Sequence, residues 1–131
     1  MMKGLLFAIA LVAPVFAVAA QTTPAAPPPV QADPARHLVM ITRAGPNFAN
    51  IRDHVEEARV HHALYERLAA EGRTIASGPF EGEPVMGMTI WSAGVDEAQA
   101  RELIRDDQLP ALGIVTYEFR TLRVRTGALG R

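Results

Sequence analysis

The chain has no cysteine. That excludes a disulfide scaffold, a thiolate zinc site, an iron–sulfur cluster and a cysteine nucleophile. Lysine is almost missing too: the only one is Lys3, so every later fixed cation is an arginine. Aromatic residues make up 6% of the chain. Charge of either sign is not in excess, with 13 basic against 14 acidic residues. That balance excludes a nucleic-acid binder that works by bulk charge. The 131 residues allow one small domain.

What is present is unevenly spread. Met1-Met2-Lys3 is a short cationic start, Gly4 to Phe16 is apolar, and Val18-Ala19-Ala20 supplies small residues. A charged start, an apolar run and an Ala-type site form a secretory signal peptide, cut after Ala20 or after Ala19. The run falls short of the roughly 20 apolar residues of a membrane span, although an uncleaved anchor is the competing reading. The mature chain is then expected in the periplasm or outside the cell, free of the membrane. Five of the ten prolines fall in the next stretch, Gln21 to Ala35. It has no helical or strand period and reads as an extended tether. The folded domain is expected over residues 36–128.

Within that domain His37 to Thr42 reads as a first strand, buried on both faces. Asn50 is a candidate N-cap for a helix from Ile51 to Glu71, with Gly72 as the residue that ends it. Thr74 to Ser77 is a second strand closed by Gly78-Pro79. Val85 to Ser92 is a third, with Met86, Met88 and Ile90 on one face. Asp96 caps a second helix over 97–105, and Ile114 to Val124 is the last strand. The order β-α-β-β-α-β predicts an α+β, ferredoxin-like domain with an antiparallel sheet and both helices on one face. A small domain with an exposed sheet face and no disulfide is expected to close that face against a second copy.

The first helix carries an anomaly. Turning about 100° per residue from Ile51 puts His54 and His61 at about 300° and 280°, in the middle of its apolar arc. His62 lies nearer the edge of that arc. A satisfied core histidine accounts for one such residue. Two in one stripe point to a lined pocket. They do not point to a metal: seven residues along a helix is roughly 10.5 Å, far beyond a shared ion with bonds of about 2 Å. The sequence also lacks an HExxH motif.

His61-His62-Ala63-Leu64-Tyr65-Glu66-Arg67-Leu68, followed by Gly72, the apolar Thr74-Ile75-Ala76 and Gly78-Pro79, resembles the YciI-like (YCII-related) family. Glu97 to Arg101, then Asp106-Asp107 and Gly113, is similar to that family's second helix and Asp-containing loop. The likeness spans nearly all of residues 36–124. It implies a dimeric α+β barrel of ferredoxin-like units and a His-Asp pair meeting in a cleft beside the sheet. The family register selects His61 over His62 and Asp107 over Asp106. Where the family has Pro and an aromatic after the Asp, this chain has Gln108 and Leu109.

A carboxylate bonded to one imidazole nitrogen sets the tautomer and raises basicity at the other. Such a pair suits hydrolysis or elimination on a small molecule without a cofactor. His61 and Asp107 are therefore the candidate catalytic residues. Ser77, His54 and Arg59 are candidate substrate contacts, each with a plainer alternative as a strand-end, core or solvated residue. Arg43 is a further candidate anion holder. The competing function is a periplasmic dimer that binds a small ligand, or regulates, without turnover.

Overall fold

In the computed structural model the described residues are 35–129. The expected signal peptide, and the tether except Ala35, lie outside them. The elements are strand β1 (Arg36–Ala44), a 3₁₀ turn (Phe48–Asp53), helix α1 (Val55–Ala70), strands β2 (Thr74–Pro79) and β3 (Met86–Trp91), helix α2 (Glu97–Leu103) and strand β4 (Val115–Arg123). The strands form one four-stranded sheet in the order β2-β3-β1-β4, and every neighbouring pair is antiparallel. This α+β arrangement is compatible with the expected ferredoxin-like fold.

Strand register sorts side chains onto two faces. Met40 pairs with Thr89 and with Phe119, so Leu38, Met40, Thr89, Trp91, Tyr117 and Phe119 share one face. That face meets the helices. Leu38, Met40 and Trp91 pack with Leu64, Tyr65 and Leu68 of α1, and with Ala100 and Ile104 at α2. Trp91, Met40 and Leu68 are among the largest fully buried side chains. The opposite face carries Val39, Ile41, Met86, Met88 and Ile90, none of which belongs to either core cluster. At its β4 side Glu118 receives hydrogen bonds from Arg43 and Arg120, which hold its carboxyl below the ordinary range.

Local chemistry explains the helix ends. After α1 the chain closes a paired set of bonds: Gly72 N–H donates to Ala69 O at 3.0 Å and Arg73 N–H to Leu68 O at 2.8 Å. That motif needs a left-handed residue, and Gly72 has φ +71°. At α2, Asp96 accepts from the Gln99 amide while Gln99 accepts from the Asp96 amide.

The start of α1 differs from expectation. Asn50 does not cap it; residues 48–53 form a 3₁₀ turn, and His54 breaks the path with φ −121° and ψ 45°. The cause is packing. Phe48 and Ile51, three apart, share one side of a 3₁₀ turn. Both pack on a second cluster of Leu109, Ile114 and Val115. Starting α1 later also overturns one placement on its apolar arc: His54 lies outside the helix rather than on its buried stripe.

One backbone crossing sets the position of the loop between α2 and β4. Gly45 N–H donates to Ile114 O at 2.8 Å and Asn47 N–H to Gly113 O at 2.9 Å. A Cβ on Gly45 would lie 2.2 Å from Gly113 O, a contact no side chain tolerates. Gly45→Ala is therefore expected to destabilise the domain by about 1–3 kcal/mol or more through overpacking against backbone. Urea unfolding should show a lower midpoint with an unchanged slope.

Candidate functional site

Helix α1 brings three kinds of surface to one edge of the sheet. At about 100° per residue, Leu64 and Leu68 face the core, His61 and Tyr65 come next, and Ala69, His62 and Glu66 follow toward solvent. Beneath them the sheet contributes two cross-strand rows. One is Met40, Thr89 and Ser77; the other is Thr42, Gly87 and Pro79. Between helix and sheet lies a cleft of about 450 Å³, lined by His61, His62, Tyr65, Glu66, Ser77 and Thr89 among others. Gly87 deepens its floor, because a Cβ there would stand 3.2 Å from Gly78 O.

The loop pinned by the Gly45 crossing carries Asp107 back under α1. His61 Nδ1–H donates to Asp107 Oδ2 at 3.0 Å. The Asp107 side chain has no exposed surface, whereas that of His61 keeps 19%. Two further donors reach the same carboxylate: the Leu109 amide at 3.2 Å, and the Tyr117 hydroxyl on Oδ2. Burial alone would push the Asp107 carboxyl up. The hydrogen bonds from His61 and Tyr117, the His61 charge and the Leu109 amide outweigh it and hold the carboxyl below its ordinary value.

Both tyrosines are driven the other way. Burial, with Tyr65 and the Asp107 carboxylate beside it, pushes the Tyr117 hydroxyl far above its usual range. Burial likewise raises Tyr65, whose hydroxyl donates to Tyr117 Oη at 3.4 Å. Tyr117 therefore remains a donor. The chain of bonds runs in one direction, from Tyr65 to Tyr117 to Asp107, with His61 donating from the other side. His61 then keeps its proton on Nδ1 and leaves Nε2 as the nitrogen able to accept a proton.

The expected site residues do not all gather here. His61 and Asp107 meet as described. Ser77 lines the cleft and its hydroxyl bonds Thr89 Oγ1 at 2.7 Å. His62 also lines it, edge-on to His61 with ring centroids 5.5 Å apart. His54 does not reach the cleft; its Nδ1 lies 3.7 Å from Glu57 Oε1. Arg59 is exposed and pairs with Glu56, because a long side chain on the solvent side of α1 finds its nearest carboxylate one turn back. Arg43 pairs with Glu118 on the far face. Asp106 is exposed, 3.9 Å from Arg105. Sequence reasoning missed Tyr117, Tyr65, Thr89 and Glu66. Period two along β4 does place Tyr117 on the helix face, but nothing in the sequence pairs it with a loop residue.

Among the described residues no cluster of three or more His, Asp or Glu side chains is arranged to hold a metal ion. Comparison of the chain with known protein families, curated proteins and solved structures finds no match.

The carboxylate network has a pH signature. A carboxyl held below its unfolded value adds stability in full above about pH 3.9 and loses it as pH falls through the folded value. Melting temperature should therefore drop in acid, and Asp107→Asn should flatten that drop. Tyr117→Phe removes a charged hydrogen bond, expected to cost about 1.5–3 kcal/mol. It should also shift the acid limb to higher pH, because one of the groups lowering the Asp107 carboxyl is gone.

Proposed function

We propose that this chain is an exported YciI-like enzyme that works without a cofactor on a small molecule, by hydrolysis or elimination. One observation carries the reading: His61, at the cleft, bonds a fully buried and ionised Asp107 through Nδ1. Nε2 is then the base. In hydrolysis it takes a proton from water as the water oxygen bonds an acyl carbon, and returns that proton to the departing group. In elimination it takes a proton from carbon, and the leaving group departs with its electron pair. Asp107 stabilises the imidazolium formed in either case and keeps the ring in place. Ser77 and Thr89 offer hydroxyls to the substrate from the cleft floor.

The proposal includes a homodimer. Ile41, Met88 and Ile90 lie half-buried on a sheet face outside both core clusters, and joining two such faces would close the barrel implied by the YciI-like motifs. It also includes removal of residues 1–20 and a periplasmic or secreted mature chain that begins with the proline-rich linker of residues 21–35. Protein recovered from the periplasm or medium should have an intact mass beginning at Gln21 or Ala20, and light scattering should give twice that mass. A stable monomer at micromolar concentration would remove the barrel from the proposal. A full-length cytoplasmic product would remove export.

The enzymatic reading is tested on p-nitrophenyl acetate and on the melting curve together. His61→Ala should lower hydrolysis about a hundredfold or more, the scale of general-base loss, while the fold persists. Asp107→Asn should lower it as well. Lost stability with unchanged specific activity would make His61 a packing residue. A small molecule retained through purification, with no turnover by the native chain, would favour the non-catalytic binding dimer, which the same cleft would serve.

A further inference from the structure

The cleft has a charge character that restricts what it accepts. Among the described residues no arginine lines it, and Glu66 is its one carboxylate. No ion pair among the described residues engages Glu66. Glu66 stands one turn beyond His62 on the outer edge of α1, so its charge faces the mouth uncompensated. Deeper in, the His61–Asp107 pair is neutral when imidazolium faces carboxylate and negative when the imidazole is uncharged. Neither state supplies net positive charge. Apart from His62, the rest of the wall is apolar or hydroxylic, with Ala69, Pro79 and Val85 around the Ser77–Thr89 hydroxyl pair.

The hydrogen-bonding sense adds a second restriction. When the imidazole is uncharged, its Nδ1–H bond to Asp107 leaves Nε2 as an acceptor, so a ligand head that sits there must then carry a donor. A carboxylate or a phosphate dianion has none, and it would also lie near Glu66 and above Asp107. We infer that the cleft takes a small molecule with no anionic group, an apolar body and a hydroxyl or N–H head, and that Glu66 is the residue that disfavours carboxylates and phosphates. This rests on the reading of the cleft as the substrate site and names the substrate class.

Three probes with one body and different heads test it: 4-phenylbutanol, 4-phenylbutylamine and 4-phenylbutyrate, titrated into the purified protein and followed by amide chemical shifts. The alcohol should move the amides of Ser77, Gly78 and Thr89 and bind about two- to fivefold more tightly than the carboxylate at low salt, the scale of one exposed charge contact. The amine should bind at least as well as the carboxylate. Glu66→Gln should close most of the gap between alcohol and carboxylate, and raised salt should narrow it in the native chain. Tighter binding of the butyrate, an unchanged gap in Glu66→Gln, or shifts confined to residues away from the cleft would each overturn the inference. These readouts do not depend on turnover, so their failure leaves the His61→Ala test of the enzyme untouched. An inactive but alcohol-selective protein would fail the enzyme and keep the ligand class.

Discussion

A carboxylate with no exposed surface is the constraint on which the rest of this site depends. Moving such a charge out of water is unfavourable unless hydrogen bonds replace the lost hydration. Asp107 has three donors, from His61, Tyr117 and the Leu109 amide, and each comes from a different part of the chain. Helix α1, strand β4 and the loop itself must all be in register for the charge to be satisfied. Satisfying it in turn orients the imidazole. Stability and the orientation of the His61 ring thus depend on the same bonds.

That network also divides α1 by function along its circumference. Leu64 and Leu68 are buried in the main core, while His61 and Tyr65, on the adjoining strip, reach the cleft and the tyrosine–carboxylate chain. A ring on the boundary between core and cleft can hold its partner away from water and still meet a ligand. The cleft exists because the sheet is thin there: Gly87 has no side chain between Thr42 and Pro79, and Ser77 and Thr89 are small and bonded to each other. Larger residues in those two rows would fill the space that the histidine faces.

The Gly45–Gly113 crossing ties the end of the loop carrying Asp107 to the sheet. Two backbone bonds tie it to the chain leaving β1, at an approach too close for any side chain. Phe48 and Ile51 then cover the loop's apolar residues. The 3₁₀ turn that replaces the first helical turn follows from that contact, since the helix gives up one turn so that two apolar side chains can pack, partly buried, on the loop. Tertiary packing overrode a reasonable local pattern because even partial burial of Phe48 and Ile51 outweighs the small propensity difference between two kinds of helical turn.

Much of the fold was legible from local chemistry. Gly72 and Asp96 mark helix ends through bonds made within a few residues, and period two in β3 and β4 assigns faces without reference to the rest of the chain. Centrally placed polar rings on an apolar stripe singled out His61 for the same reason. His54 misled because its helical phase assumed a helix that starts at Ile51. Tyr117, Glu66 and the exclusion of Arg59 and His54 from the cleft were decided only by the tertiary structure. A hydroxyl reaching a carboxylate ten residues along, and a carboxylate reaching a histidine on another element, depend on distances that no local period encodes. The sequence determined which groups were available and on which side of each element they stand. The crossing of backbones and the packing of the loop decided which of them meet, because a hydrogen bond is made at about 3 Å and a shift of one turn breaks it.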